Sequence, residues 1–329
     1  AVLLGENHYH KYIQHFRNRL FFALNTFDYY PIIIIEDQYS KTEFFNYYLS
    51  ITDEEKAQEF FNNELNLMVN TQEQFELLQH MKRWNNIHPN KPLKVGFSDL
   101  EFDYKTTIEK VIKPYFSKVD SNKDIDYENM SISKLGKLIP IFREKLKTAK
   151  TNKIIGAYPF ITADYVGRVV DNLESTCNSM IYGNYFDFYR QKAIIRNLTD
   201  DKFLGKYWIS HKVFLHGGSS HMKTKLQLPD GGNFFSEGSY LTFDFSYTKA
   251  KTYSIRIVGL ARSLGNMADI DLNDCLQSGS SYRKSLSTFQ KAYDFNLISP
   301  NDYCFSYKIN SLDSLIIKHS FQQKSIGLL

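Results

Sequence analysis

Four short hydrophobic runs, each followed by ionisable residues, organise the chain. They lie at residues 1–4, 31–35, 93–97 and 212–215. Hydrophobicity that is mostly continuous rather than alternating is typical of parallel strands buried on both faces of a sheet. The pattern therefore predicts at least four strands of a covered, mostly parallel sheet.

Between these runs, apolar residues recur at the spacing of an α-helix. The predicted helices cover residues 11–25, 40–49, 53–68, 72–84, 105–118, 132–149, 161–181 and 185–198. A strand, a helix and a strand within the first 36 residues predict a βαβ unit with parallel strands and a right-handed crossover. Later segments at 241–245, 253–260 and 315–317 predict further short strands.

This order of elements predicts an α/β fold, with a mostly parallel sheet flanked by helices on both faces and a helical cap or lid insertion. Residues 1–104 and 185–329 are expected to form the α/β core, and residues 105–184 the cap of the same domain. With 329 residues the chain can bury a large core as one unit.

Charge and cysteine content exclude several classes of protein. The 40 basic and 36 acidic residues are dispersed and leave a net charge of +4, so no nucleic-acid partner is expected. The three cysteines are widely spaced, which argues against a disulfide framework or a structural zinc site. No apolar run approaches the roughly 20 residues of a transmembrane segment. The second residue already lies in a predicted core strand, so we expect that a leader or preceding segment has been removed. The sequence indicates neither a localisation nor an oligomeric state.

The ionisable residues after the predicted strands are the candidate site. Glu6 and His8 follow the first strand, Glu36 the second, Asp99 the third and His216 the fourth. Ligands of open parallel sheets bind outside the carboxyl ends of the strands, and neighbouring strands lie about 4.8 Å apart. We therefore expect these side chains to converge on an acid/base or metal centre.

Each residue also has an ordinary structural explanation. A single glutamate after a strand is commonly a helix cap or a solvated loop residue, and a single histidine is more often packed or solvated than catalytic. His216 differs because Gly217 and Gly218 follow it and leave room for a ligand to approach the backbone. Arg17 and Arg19 are two residues apart on the first helix and cannot share one face, so one is expected to point to the edge of the sheet and the other to water.

Gly5-Glu6-Asn7-His8 resembles the Gly-Glu-x-(x)-His signature of the erythromycin esterase-like family, within the wider haem-uptake/Tiki (ChaN-like) superfamily. Other family segments occur in the same order over residues 1 to about 260. They are 16–20 with Arg17, 34–36 ending in Glu36, 83–85, 95–99 ending in Asp99, the helix with Arg190 and Asn197, and 213–221 with His216 and His221. The first motif is one residue shorter than in most esterases, Gly217 replaces an asparagine, and the late histidines are farther apart.

The resemblance implies a hydrolase that attacks a carboxylic ester or lactone, a small-molecule substrate, with water. It implies neither a covalent intermediate nor an obligatory metal. His8 would take a proton from the water, since the reference pKa of histidine is near 6.5. Glu36 or Glu6 would orient the His8 ring, and Arg17 would keep that carboxylate ionised.

The oxyanion would then be met by His216, by Arg190 or by backbone donors at Gly217 and Gly218. The resemblance assigns the binding of substrate or transition state to Arg17, Arg190, His221 and Asp99. No G-x-S-x-G motif surrounds Ser219 or Ser220, so a serine nucleophile is not expected.

Two alternatives to a cofactor-free hydrolase stay open. Glu6, His8, Glu36 and His216 could instead bind a divalent metal, which would make the protein a metal-dependent hydrolase on the same scaffold. The haem-uptake relatives allow a non-enzymatic protein that binds haem or another planar ligand. A relative that keeps the fold without activity is a further possibility.

Overall fold

The structure is a computed structural model. It describes residues 1–6, 11–119, 125–183, 186–209, 211–218, 221–222, 236–256, 258–259 and 305–306. His8 and the predicted strand at 315–317 therefore lie outside the described residues. None of the described helices is both long and apolar enough to cross a membrane.

A five-stranded parallel sheet forms the centre of the α/β fold, as the hydrophobic runs predicted. The strands are β1 (Val2–Glu6), β2 (Ile32–Gln38), β3 (Lys94–Asp99), β4 (Val213–Gly218) and β5 (Tyr253–Arg256). Their order is β3-β2-β4-β1-β5. β1 and β2 are parallel as expected, but β4 lies between them, so the first and second strands are not neighbours. Outside this sheet, β6 (Val258–Gly259) pairs with β7 (Phe305–Ser306) in an antiparallel ladder.

Helices cover both faces of the sheet. Every residue of β1 and β4 is buried, which requires packing on both sides of the pleat. The helices are α1 (Lys11–Phe27), α2 (Lys41–Ser50), α3 (Glu54–Phe60), α4 (Gln72–Ile87), α5 (Tyr104–Thr107), α6 (Lys113–Val119), α7 (Ile132–Thr151), α8 (Ala163–Ile181), α9 (Phe186–Thr199) and α10 (Glu237–Phe243). π-helical turns continue α3 over Phe61–Leu65 and join α5 to α6 over Ile108–Ile112.

Hydroxyl side chains set the start of several helices. Thr71, Ser131 and Thr162 each accept a hydrogen bond from the backbone N–H three residues later, at the first turns of α4, α7 and α8. Such bonds satisfy backbone donors that have no partner inside the helix. The sequence therefore encodes these helix starts locally.

The helical segment between β3 and α9 packs on the core through aromatic residues. The rings of Phe160 and Phe44 lie 4.9 Å apart in an edge contact, and the Tyr165 hydroxyl donates to the Ser40 carbonyl at 2.6 Å. These contacts attach α8 and the chain before it to α2. The division into a core and a cap at residues 105–184 stays a prediction.

The predicted strand at residues 241–245 is wrong. The chain forms α10 there, after Ser236, whose hydroxyl accepts from the Ser239 N–H at 3.2 Å. Leu241 and Phe245 are buried four residues apart, whereas Phe243 between them is exposed. An apolar residue at every second position fits a strand, but it also fits a helix with one buried face. The Ser236 cap favours the helix.

Candidate active site

The carboxyl ends of four neighbouring strands carry the predicted residues. In sheet order these residues are Asp99 on β3, Glu36 on β2, His216 on β4 and Glu6 on β1. Each lies within its strand rather than in the loop after it, because the strands extend further than the hydrophobic runs. The sheet thus brings together residues up to about 200 positions apart along the chain.

The strand register separates these residues onto two faces of the sheet. His216 pairs with Leu4 of β1 and Ile35 of β2, so it shares a face with Glu6 and points away from Glu36. We call Glu6, Arg17 and His216 the β1/β4 cluster. We call Glu36, Asp99, Arg190, His221 and Glu237 the β2/β3 cluster.

The β1/β4 cluster is almost closed to solvent. Nε2 of His216 lies 3.2 Å from Oε2 of Glu6, and Nδ1 of His216 has no hydrogen-bond partner among the described residues. Arg17 on α1 is buried, while Arg19 is exposed, so Arg19 is the arginine that points to water as one of the two was expected to. Nε of Arg17 donates to the Asn18 amide oxygen at 3.0 Å.

Burial is the main cause of the pKa shifts in this cluster. It lowers the pKa of His216, and the charge of Arg17 lowers it further, although Glu6 acts in the opposite direction. Burial also lowers the pKa of Arg17 to about 10, against the charges of Glu6 and Glu73. His216 is therefore a neutral imidazole at pH 7, and Arg17 remains a cation.

Arg190 is the centre of the β2/β3 cluster. It reaches the strand ends from α9 and holds Asp99 in a two-pronged contact, from Nε to Oδ1 at 3.0 Å and from Nη2 to Oδ2 at 2.6 Å. Nη2 also donates to Oε1 of Glu36 at 2.5 Å. Charge-assisted pairs of this kind fix both orientation and charge, so the guanidinium joins β2 and β3.

His221 lies beside Arg190. Its Nε2 is 3.4 Å from Nη1 of Arg190 and 3.6 Å from Oε1 of Glu36. Its Nδ1 lies 3.0 Å from both carboxylate oxygens of Glu237, the first residue of α10. His221 is thus held between an acid and an arginine, despite the longer spacing between the late histidines.

In the β2/β3 cluster, the neighbouring carboxylates together outweigh burial and raise the pKa values of both bases. Burial acts to lower the pKa of His221, but the hydrogen bond and charge of Glu237, with the charge of Glu36, raise it to about 9. Burial likewise opposes the charge of Arg190, yet Asp99 and Glu36 raise the pKa of the guanidinium above its ordinary value. Both groups are cations at pH 7.

The glycines after His216 fit closely around Glu36. A Cβ at Gly217 would lie 2.6 Å from Oε2 of Glu36 and 2.8 Å from the terminal carbon of Met222. The Gly218 N–H donates to Oε2 of Glu36 at 2.5 Å. Gly217 therefore makes room for the glutamate, and the Gly218 N–H binds this carboxylate rather than standing ready for an oxyanion.

Asn197 connects α9, the helix that carries Arg190, to the sheet through hydrogen bonds. Its buried amide donates to the Ser98 carbonyl of β3 at 2.9 Å and to the Asn172 side chain of α8 at 2.7 Å. Buried amides with satisfied hydrogen bonds define one arrangement of the elements they join. Arg190 and Asn197 thus act from one helix, as their seven-residue spacing suggested.

Sequence reasoning missed two buried acids. Glu237 follows Ser236, and the Ser-Glu pair before an apolar run was a signal of a helix start. Glu101 is buried two residues after Asp99 and accepts from the Ser40 and Thr107 hydroxyls at 2.6 and 2.8 Å. Burial raises the pKa of Glu101 to about 7 against these hydrogen bonds. No local pattern distinguishes Glu101 from a surface residue.

The described residues contain no group of three or more His, Cys, Asp or Glu arranged to hold a metal ion. The alternative ligand set includes His8, which lies outside the described residues. That alternative, and the one with haem, stay predictions.

Comparisons with known proteins give three similar solved structures. No family model and no curated protein matches the chain. A Bacillus cereus protein has a TM-score of 0.47 at 14% identity, and a succinoglycan biosynthesis protein 0.48 at 16%; each alignment covers 77% of this chain and 64% of the other. A mutant of the erythromycin esterase EreC in its open conformation has a TM-score of 0.45 at 14% identity, over 78% of this chain and 69% of that one. The chain thus spans less than two thirds of the first two.

Proposed function

We propose that the protein is a hydrolase that adds water to the carbonyl carbon of a carboxylic ester or lactone. The observation that carries the proposal is the pair of cations, Arg190 and His221, held side by side at the strand ends by three buried carboxylates. Fixed positive donors of this kind stabilise an oxygen on which negative charge develops. The carbonyl oxygen of an acyl substrate gains such charge when water attacks.

The base in this proposal is His8, which follows Glu6 by two residues in the sequence. A bond forms between the water oxygen and the carbonyl carbon while a water proton passes to His8. The π electrons move to the carbonyl oxygen, which accepts hydrogen bonds from Arg190 and His221. The electron pair on that oxygen then re-forms the carbonyl as the bond to the alkoxide breaks, and the alkoxide takes the proton from His8, which yields an acid and an alcohol.

The β1/β4 cluster includes the last residue of the strand that precedes His8 in the sequence. Arg17 and Glu6 supply a buried pair of opposite charges near the end of β1, and neutral His216 lies between Glu6 and the β2/β3 cluster in the order of the sheet. We assign a structural and electrostatic role to these groups. The helical segment 105–184 is proposed to shape the substrate cleft, and no metal takes part.

The test is hydrolysis of p-nitrophenyl acetate and of simple lactones by the purified protein, with and without EDTA. We expect activity that EDTA leaves unchanged. His8→Ala should lower kcat by about 100-fold or more, in the range of general acid–base catalysis, without a change in melting temperature.

His211→Ala is the matched control, because His211 is exposed before β4 and should be replaceable without effect. Turnover by His8→Ala at the wild-type rate would disprove the role of His8. Failure of the wild-type protein to hydrolyse any tested ester or lactone would count against the proposed function.

A further inference from the structure

A small, partly open cleft lies at the end of β2. Its walls come from that strand end, from α2 and α5, and from the segment that leads into α4. The inner volume of about 20 Å³ is enough for one water or one hydroxyl group. The polar residues that line it are Gln38, Ser40, Lys41, Asp103, Thr106 and Thr107.

The register of the sheet places this cleft next to the proposed reaction centre. Gln38 of β2 pairs with Asp99 of β3, so it lies about one strand spacing, 4.8 Å, from the residue that holds Arg190. The amide oxygen of Gln38 lies 3.5 Å from the hydroxyl of Thr107, another residue of the cleft wall. A ligand that contacts Arg190 therefore has the cleft within reach.

Hydrogen bonds between buried groups fix the walls of the cleft. Asp37 accepts from Lys41 at 2.9 Å, which joins the start of α2 to β2. Glu101 accepts from the Ser40 and Thr107 hydroxyls at 2.6 and 2.8 Å, which joins the same end of α2 to α5. A preformed site loses little conformational entropy when a ligand enters, and this favours binding.

The charges of the walls favour a neutral group that both donates and accepts. Lys41 is 5% exposed, and among the described residues its ammonium, with three hydrogens, donates to Asp37 alone. An anion in the cleft would meet the carboxylate of Asp103, and an ammonium group would meet Lys41. A hydroxyl group can accept from Lys41 and from the Gln38 amide, and it can donate to Asp103.

Apolar surface adjoins these polar walls. Met68, which is buried, and Leu67, which is exposed, line the same cleft. Polyols and sugars present hydroxyl groups and C–H surface side by side, so they match this combination. A plain alkyl chain would instead cover Lys41 without giving it a further acceptor, which is unfavourable.

We propose that this cleft binds a hydroxyl group of a polyol or sugar, with Lys41 and Gln38 as the residues that determine the specificity. That the polyol or sugar belongs to the ester being cleaved rests on the proposed function, whereas binding of the hydroxyl group does not. The cleft would then select hydroxylated esters over plain alkyl esters.

The turnover test compares glycerol monobutyrate with propyl butyrate, which differ in two hydroxyl groups. The wild-type protein should have a kcat/KM about 10-fold higher for the glycerol ester, through a lower KM, as one hydrogen bond to a charged donor provides. Lys41→Met should reduce this preference by about 10-fold, and Gln38→Met by about 3- to 10-fold. Equal use of the two esters by the wild-type protein, or a preference that either variant keeps, would overturn the proposal.

Lys113→Met is the matched control for Lys41→Met. Lys113 pairs with a carboxylate four residues earlier, as Lys41 does, with 3.1 Å between Nζ and Oε2 of Glu109, but 48% of its side chain is exposed. This variant should keep the preference for the glycerol ester. A preference that falls as far in Lys113→Met as in Lys41→Met would contradict the role of Lys41.

Glycerol tests binding without turnover, with the NMR signals of the side-chain amides as the readout. In the wild-type protein, glycerol should shift the Gln38 amide signal in a saturable way. Dimethoxyethane accepts hydrogen bonds but cannot donate them, so it should bind more weakly. The amide of the exposed Gln58, which donates to Asn62, is the reference signal and should show no saturable shift. A Gln38 signal that does not saturate with glycerol would refute the hydroxyl site.

The proposed function and the hydroxyl site fail in different ways. A protein that binds glycerol at Gln38 but hydrolyses no ester would refute the proposed function and leave the hydroxyl site standing. A protein that hydrolyses both butyrates equally, without saturable glycerol binding, would refute the hydroxyl site and leave the proposed function standing.

Discussion

The β1/β4 and β2/β3 clusters both combine Glu, Arg and His at the carboxyl end of the sheet, and the second adds Asp99, yet their charges are set in opposite ways. The pKa of His216 is lowered and that of His221 is raised to about 9. The arginines diverge likewise, with the pKa of Arg17 lowered to about 10 and that of Arg190 raised. The residue type and its position at the end of the sheet therefore do not determine whether its pKa is raised or lowered.

The difference follows from the number of carboxylates that contact the histidine and the arginine of each cluster. In the β2/β3 cluster, Glu36, Asp99 and Glu237 approach two bases within 3.0 Å, so the attraction exceeds the penalty of burial. In the β1/β4 cluster Glu6 is the single acidic member beside two bases, and burial prevails. Close hydrogen-bonded acids can thus keep a largely buried imidazole charged.

Removing Arg190 should have the largest effect, because it breaks the charge balance of the β2/β3 cluster. Arg190→Met leaves Asp99 and Glu36 buried without their cation, which costs about 3–5 kcal/mol of unfolding free energy at pH 7. The loss should shrink at low pH, where the carboxyls can become neutral. Urea unfolding followed by circular dichroism measures both quantities.

Arg143 offers a matched control. It also bridges two acids, with Asp171 at 2.8 Å and Glu174 at 2.7 Å, but on the surface with 46% of its side chain exposed. Arg143→Met should cost about 1 kcal/mol or less. Equal losses for the two variants would show that burial of the Arg190 pairs has no energetic consequence.

The two histidines should give opposite pH dependence of stability. The folded-state pKa of His221 lies above its ordinary value, so its contribution is complete below about pH 6.5 and disappears as pH rises through about 9. The difference is roughly 3 kcal/mol at most. His216 has a lowered pKa, so its contribution is present above about pH 6.5 and falls as the solution becomes more acidic.

Unfolding free energies of the wild type, His221→Gln and His216→Gln between pH 5 and 10 check this prediction. His221→Gln should flatten the curve on the alkaline side, and His216→Gln on the acidic side. If both variants change the same side of the curve, the contrast between the clusters is wrong.

A methyl group at Gly217 should have a smaller effect and should act mainly on the β2/β3 cluster. Gly217→Ala places a Cβ 2.6 Å from Oε2 of Glu36, so the glutamate must move from the Gly218 N–H. Crowding of this kind costs about 1–3 kcal/mol. Calorimetry should show a lower melting temperature, and NMR should show a larger shift of the His221 titration midpoint than of the His216 midpoint.

Gly136→Ala is the control for this substitution. Gly136 lies inside α7, and a Cβ there would meet nothing within 4 Å. Alanine should stabilise the helix by up to about 1 kcal/mol. A Gly217→Ala protein as stable as the wild type would show that the close fit around Glu36 is not needed.

The sequence predicted the sheet and the strand-end residues well because both depend on local pattern. Continuous apolar runs indicated buried parallel strands, and an acid or histidine at each run's end marked Glu6, Glu36, Asp99 and His216. The wrong strand at residues 241–245 arose because alternation over five residues also fits one face of a helix. That error concealed Glu237, which lies at the start of the same helix.

Amino-acid order by itself determined the class of fold, most of the helices and strands, and the identity of the groups at the sheet edge. Tertiary structure decided which groups meet, because the insertion of β4 between β1 and β2 and the alternation of the pleat divide them into two clusters. It also decided their charges. A pKa depends on the distances to acids and on burial, and here those acids come from β2, β3 and α10, far apart in the chain.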